Sequence, residues 1–154
     1  MVADRRAALC RRVLTFLLAA ALLCTAVAPA SAGDEDVPIL VQVILASNAG
    51  EGFDPPSVER VVKLLGSPYD MYSSYRLVTE QHLVLPPQQP GIVALPGNRT
   101  LVVTPLTGHA QIVQIQAAIE GYIQSKLVLR QGTTQFIGGI SEPEGDLLIA
   151  ITLK

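Results

Sequence analysis

Residues 121–154, GYIQSKLVLRQGTTQFIGGISEPEGDLLIAITLK, state the architecture of this chain most clearly. They read as three or four short β segments, separated by turn signals at Gln131-Gly132, Gly138-Gly139 and Pro143-Glu144-Gly145. The last segment, Leu147 to Leu153, is apolar on both alternating faces. Leu147, Ile149, Ile151 and Leu153 share one face, and Leu148 and Ala150 the other. A strand of that kind is covered on both sides, by a helix or a second sheet, and sits centrally. Just upstream the alternation is cleaner. Val113, Ile115, Ala117 and Ile119 point inward, while Gln114, Gln116, Ala118 and Glu120 point outward. One dry and one wet face are the mark of an antiparallel sheet. Ile123 to Arg130 pairs with this strand as a hairpin through Gly121, with Leu127 and Leu129 inward and Gln124, Lys126 and Arg130 outward.

Working back toward the N-terminus, Val37 to Ala46 (VPILVQVILA) is a second strand that is apolar on both faces except at Gln42. A loop over residues 47–52 separates it from the one helix, expected over about residues 55–65. There Asp54 is placed to cap the first turn, and Pro55 suits the first helical position. Val58, Val61, Val62 and Leu65 fall on one face, and Glu59 and Lys63 are spaced as an exposed ion pair. Gly66 and Pro68 end the helix. Tyr72 to Val78 has strand composition, Leu83 to Leu85 is a short apolar segment, and Pro86 to Gly91 is a rigid turn or a P-x-x-P ligand. Pro96-Gly97-Asn98 joins two further strands, and Gly108-His109 is another turn. The pattern predicts an α+β, β-rich fold. It is a mostly antiparallel sheet or sandwich of about seven or eight strands with one amphipathic helix.

The first residues carry a different message. Arg5, Arg6, Arg11 and Arg12 precede an apolar run from Val13 to Val27, and Ala30-Ser31-Ala32 gives the small-x-small pattern that a signal peptidase needs. The expected organisation is a signal peptide over 1–32, a short acidic tail over 33–36 and one β-rich domain over 37–154, with no integral membrane span after cleavage. Both cysteines, Cys10 and Cys24, fall in the removed segment, so the exported chain has no disulfide and no thiol chemistry. Seven Lys/Arg remain against twelve Asp/Glu, a net charge of −5. That balance argues against nucleic acid and anionic membrane as partners, since both need basic patches.

Chemistry-bearing residues are sparse. Tyr69, Tyr72 and Tyr75 supply most of the aromatic content of the exported chain. They read either as a candidate partner surface or as rings buried at a sheet margin with their hydroxyls in water. Taken as strand residues, Tyr72 and Tyr75 have opposite parity and face opposite ways. His82 and His109 stand alone, without metal-ligand spacing. Glu142, Glu144 and Asp146 bracket Gly145, as acids for a cation or as solubilising residues of a hairpin turn. No serine lies in a nucleophile-elbow pattern, and the glycines at 132, 138 and 139 lack the helix a phosphate cradle needs. They are expected to be turn or bulge glycines, and neither an enzyme nor a cofactor is expected.

Gln131-Gly132-Thr133-Thr134-Gln135-Phe136-Ile137-Gly138-Gly139-Ile140, with the terminal Leu147-Leu148-Ile149-Ala150-Ile151-Thr152-Leu153, resembles the hairpin and last strand of the secretin β-domain. Gln131 stands where that signature has aspartate, and the connection before the last strand is shorter. A single short β-domain argues against a secretin pore. With Tyr72 to Val78 (YSSYRLV) and Leu95 to Pro105 (LPGNRTLVVTP), the whole exported chain also resembles small exported bacterial proteins without an assigned activity, which implies the cell envelope and supplies no site. The expected function is a non-enzymatic envelope interaction or assembly module, periplasmic or secreted. It would dock on an envelope protein by a sheet edge or through Tyr69, Tyr72 and Tyr75. The alternative is a small ligand- or metal-binding protein using His82, His109 or the acids from Glu142 to Asp146.

Overall fold

Residues 35–66, 69–109 and 111–154 are described by the computed structural model. The expected signal peptide, residues 1–32, lies outside them. Nine strands and a short helix follow in the order β1 (Val37–Ser47), β2 (Gly52–Asp54), α1 (Val58–Lys63), β3 (Ser74–Leu85), β4 (Gly91–Leu95), β5 (Arg99–His109), β6 (Ile112–Ile119), β7 (Ile123–Arg130), β8 (Thr134–Glu142) and β9 (Gly145–Leu153). They form a five-stranded sheet, β2-β3-β1-β9-β8, and a four-stranded sheet, β4-β5-β6-β7. All strand pairings are antiparallel except that of β2 with β3, and an isolated parallel bridge joins Gln131, just after β7, to Leu153 of β9.

The two sheets face each other across one core. Val37, Ile39, Val41, Val43 and Leu45 of β1 and Leu147, Ile149, Ile151 and Leu153 of β9 meet Val93, Leu101, Val103, Val113, Ile115, Ala117, Ile119 and Leu129 of the other sheet. Each Val, Leu or Ile side chain of this layer contributes about 1.5–3 kcal/mol when fully buried. This layer is the main source of stability. The second apolar face of β1 and β9 is used as well. Ile44, Ala46 and Leu148 lie under α1, packed with Val58, Val61, Val62 and Leu65. The apolar character of β1 and β9 on both faces thus has two causes: a sheet on one side and a helix on the other.

Several expectations change in detail. The helix is α-helical only over six residues. Short turns extend it at both ends through bonds such as Val58 N–H to Pro55 C=O (3.0 Å) and Leu65 N–H to Val62 C=O (2.9 Å). Asp54 does not cap it, because Asp54 belongs to β2 and pairs with Arg76, while the carbonyls of Pro55, Pro56 and Ser57 take up the first free amides. The Glu59–Lys63 pair forms at 2.7 Å, and Gly66 takes φ +71°. The two segments expected at Tyr72–Val78 and Leu83–Leu85 are one strand, β3, with Thr79 to His82 between them. The Gly138-Gly139 pair is a bulge within β8, not a turn. Gly108-His109 is the end of β5, and its turn comes later. The Pro86–Pro90 stretch is a corner between the sheets, held by Gln88 N–H donating to Pro105 C=O at 2.8 Å.

Among the described residues no helix is long and apolar enough to cross a membrane.

Candidate functional site

One end of the sandwich gathers three hairpin turns: residues 96–98 between β4 and β5, 120–122 between β6 and β7, and 143–144 between β8 and β9. Arg99 ties them together. Its guanidinium pairs with the Glu142 carboxylate of the opposite sheet, its Nε donates to Pro96 C=O (3.3 Å), and it lies 4.8 Å from the Tyr122 ring centroid. The pair is largely out of water, with the two side chains 13% and 9% exposed. Each of the other two hairpin acids also has its own partner. Glu144 pairs with Arg76 at 3.2 Å on the surface, and Asp146 accepts from the Tyr72 hydroxyl. The acids that read as a cation site are therefore divided among two arginines and a tyrosine. Among the described residues no three His, Cys, Asp or Glu side chains converge to hold a metal. His82 is exposed, 3.7 Å from Glu80, and the side chain of His109 lies outside the described set.

The tyrosines occupy the other face of the same sheet. Tyr75 is 5% exposed, stacks on Phe53 with ring centroids 5.4 Å apart, and donates its hydroxyl to Tyr69 C=O. Tyr69 and Tyr72 are half-buried in the cluster beneath α1. Opposite facing of Tyr72 and Tyr75 is not what the structure has. Tyr72 precedes β3, which starts at Ser74, so strand parity does not govern it. The Tyr75 ring is buried, those of Tyr69 and Tyr72 are half-buried, and the hydroxyls of Tyr72 and Tyr75 are bonded to protein. Of the three residues read as a candidate partner surface, Tyr75 is buried and Tyr69 and Tyr72 are half-exposed.

These contacts set a pH dependence. The hydrogen bond to Asp146, together with burial and the Asp146 charge, raises the Tyr72 phenol above its ordinary 10.0. Burial, with the Asp70 charge, raises that of Tyr75. A phenol with a raised folded pKa contributes stability that is fully present below about pH 10 and lost as pH rises through the raised value. Urea midpoints of the wild type are therefore expected to fall above about pH 10, and to fall less in the Tyr72→Phe/Tyr75→Phe chain. Equal alkaline slopes would contradict this assignment.

The surface carries both a cleft and an open sheet edge. A cleft of about 270 Å³ at the hairpin end is lined by Leu45, Arg76, Val78, Pro96, Glu142, Pro143 and Glu144. The edge is strand β7, which ends the four-stranded sheet.

Neither protein-family profiles, curated proteins nor solved structures match this chain.

Its own surface therefore has to carry the assignment. Arg76 and Arg99 were not singled out from the sequence, because their partners lie far along the chain. The outward direction of Lys126 and Arg130 was legible from alternation alone.

Proposed function

We propose that this chain is an exported, non-enzymatic interaction or assembly module of the bacterial cell envelope that docks by a sheet edge. The observation that carries this reading is how the polar side chains are used. Arg76, Arg99, Tyr72, Tyr75, Glu142, Glu144 and Asp146 are engaged with one another or with backbone, and the Arg99–Glu142 pair joins the two sheets. Strand β7, by contrast, ends its sheet with outward side chains exposed. Such an edge offers main-chain hydrogen bonds for affinity and alternate side chains for specificity. The basic, apolar and small-residue succession over residues 1–32 supports export.

Ligand binding is a second reading, favoured by the hairpin-end cleft with its apolar walls and the Arg76–Glu144 pair at its side. Fractionation of native cells with an antibody, followed by native-mass sizing, separates the two. The interaction reading expects a chain cleaved after Ala32, in an envelope fraction, within a particle larger than the chain itself. A free monomer would favour the ligand reading, and retention of residues 1–32 would contradict the export proposal.

A further inference from the structure

We infer that β7 is the docking edge for an extended, acidic segment of another protein, which adds to the four-stranded sheet as a fifth strand. This inference rests on the interaction-module reading.

Four strands end the two sheets, and they differ in what they offer. β3 is also open beyond Arg76, where β2 stops, but it is bulged at Val78. β2 has three residues, and β4 has five, bounded by Pro90 and Pro96. β8 is interrupted by the bulge between Ile137 and Ile140. β7 has eight residues in unbroken register with β6, from Ile123 opposite Ile119 to Arg130 opposite Ile112. Among the described residues no strand pairs with its other side over Ile123 to Leu129, and at its end the Arg130 N–H donates to Thr133 Oγ1 (3.2 Å) while the Arg130 C=O accepts from Thr133 N–H (2.9 Å).

The side chains of β7 state what kind of partner fits. Lys126, Val128 and Arg130 alternate onto the outer face, and all three are exposed, Val128 to 50%. Among the described residues neither cation has a carboxylate within 4.0 Å. Lys63, Arg76 and Arg99 are each paired with a glutamate. Arg60 and Lys154 likewise have no carboxylate within 4.0 Å among the described residues, but Lys126 and Arg130 stand together, four residues apart on the outer face of one sheet-end strand. A second copy of β7 is disfavoured, since pairing would crowd four cations on one face. An incoming strand with carboxylates four residues apart would meet Lys126 and Arg130, and an apolar residue midway between them would cover Val128. Opposite charge across the new pair would fix its register.

Selection of phage-displayed heptapeptides on the purified exported protein tests this. The expected winners carry Asp or Glu four residues apart with an apolar residue between. Their affinity is expected to fall at least tenfold on Lys126→Glu/Arg130→Glu, and that variant is expected to select lysine- or arginine-bearing peptides instead. Because both side chains are exposed, the melting temperature should stay unchanged. If it does not, Lys126→Gln/Arg130→Gln replaces the variant, and an affinity loss of at least fivefold is then expected. Winners without acids, winners retained with smaller losses, or no enriched sequence would each overturn the assignment of β7. Peptides that bind elsewhere leave the interaction reading standing. A monomer in the native envelope fraction removes that reading itself.

Discussion

Gly145→Ala is expected to destabilise the domain by on the order of 3 kcal/mol, a drop in melting temperature of roughly 10 °C for a chain of this size. Gly145 opens β9 with φ +154°. A Cβ built there overlaps the carbonyl oxygen of Ala46 and comes within 3.0 Å of the Ala46 carbonyl carbon and of Ser47 Cβ. Those atoms belong to β1, whose Ala46 is paired with Tyr75 on one side and Asp146 on the other. Backbone held on both sides cannot give way, so the strain has to be absorbed by separating β1 from β9. Gly139→Ala is the control. Its φ of +82° is also positive, but a Cβ there meets nothing within 4 Å. Only the left-handed penalty of about 1–2 kcal/mol applies. Urea denaturation of both variants checks the contrast, and a Gly145→Ala chain as stable as Gly139→Ala would contradict the close approach of the two strands.

Arg99→Met is expected to cost about 3–5 kcal/mol, because it leaves the Glu142 carboxylate buried without its counter-charge. The double variant Arg99→Met/Glu142→Leu is expected to recover most of that loss. A buried pair replaced by apolar groups of similar volume is often neutral, whereas half a pair is not. One further feature favours recovery: among the described residues Arg99 Nη1 is buried with no hydrogen-bond partner, an unmade bond that the double variant removes. The surface pair Arg76–Glu144 provides the reference. Its side chains are 57% and 70% exposed, so Arg76→Met should change stability by no more than about 1 kcal/mol. A full double-mutant cycle in urea measures both couplings. Equal, small values for the two pairs would mean that Arg99 does not fasten the hairpins.

The fold was legible where a strand is covered on both faces, as β1 and β9 are, or alternates cleanly between core and water, as β6 and β7 do. Val37 to Ala46 and Leu147 to Leu153 announced themselves because a sheet and a helix each demand apolar residues from them. β3 did not, since beyond it lies only the three-residue β2, and Thr79 to His82 can stay polar near that margin. β2 itself is too short to carry a pattern. The hairpin acids were visible as a cluster, but their partners were not. Tyr72 and Asp146 lie 74 positions apart, and Arg76 and Glu144 lie 68 apart. No local periodicity encodes such pairs. Lys126 and Arg130 could be placed on an outward face by alternation, but the position of β7 at the end of its sheet is a matter of strand order, which periodicity does not contain.

The central claim is that the chain works by docking another protein on β7. Native-mass sizing of the wild type beside Lys126→Glu/Arg130→Glu, each expressed in its own cell and taken from the envelope fraction, tests it most directly. The account predicts a large particle for the wild type and a chain at its own mass, with an unchanged melting temperature, for the charge-reversed variant. Two chains of the same native size, whether both assembled or both free, would contradict it.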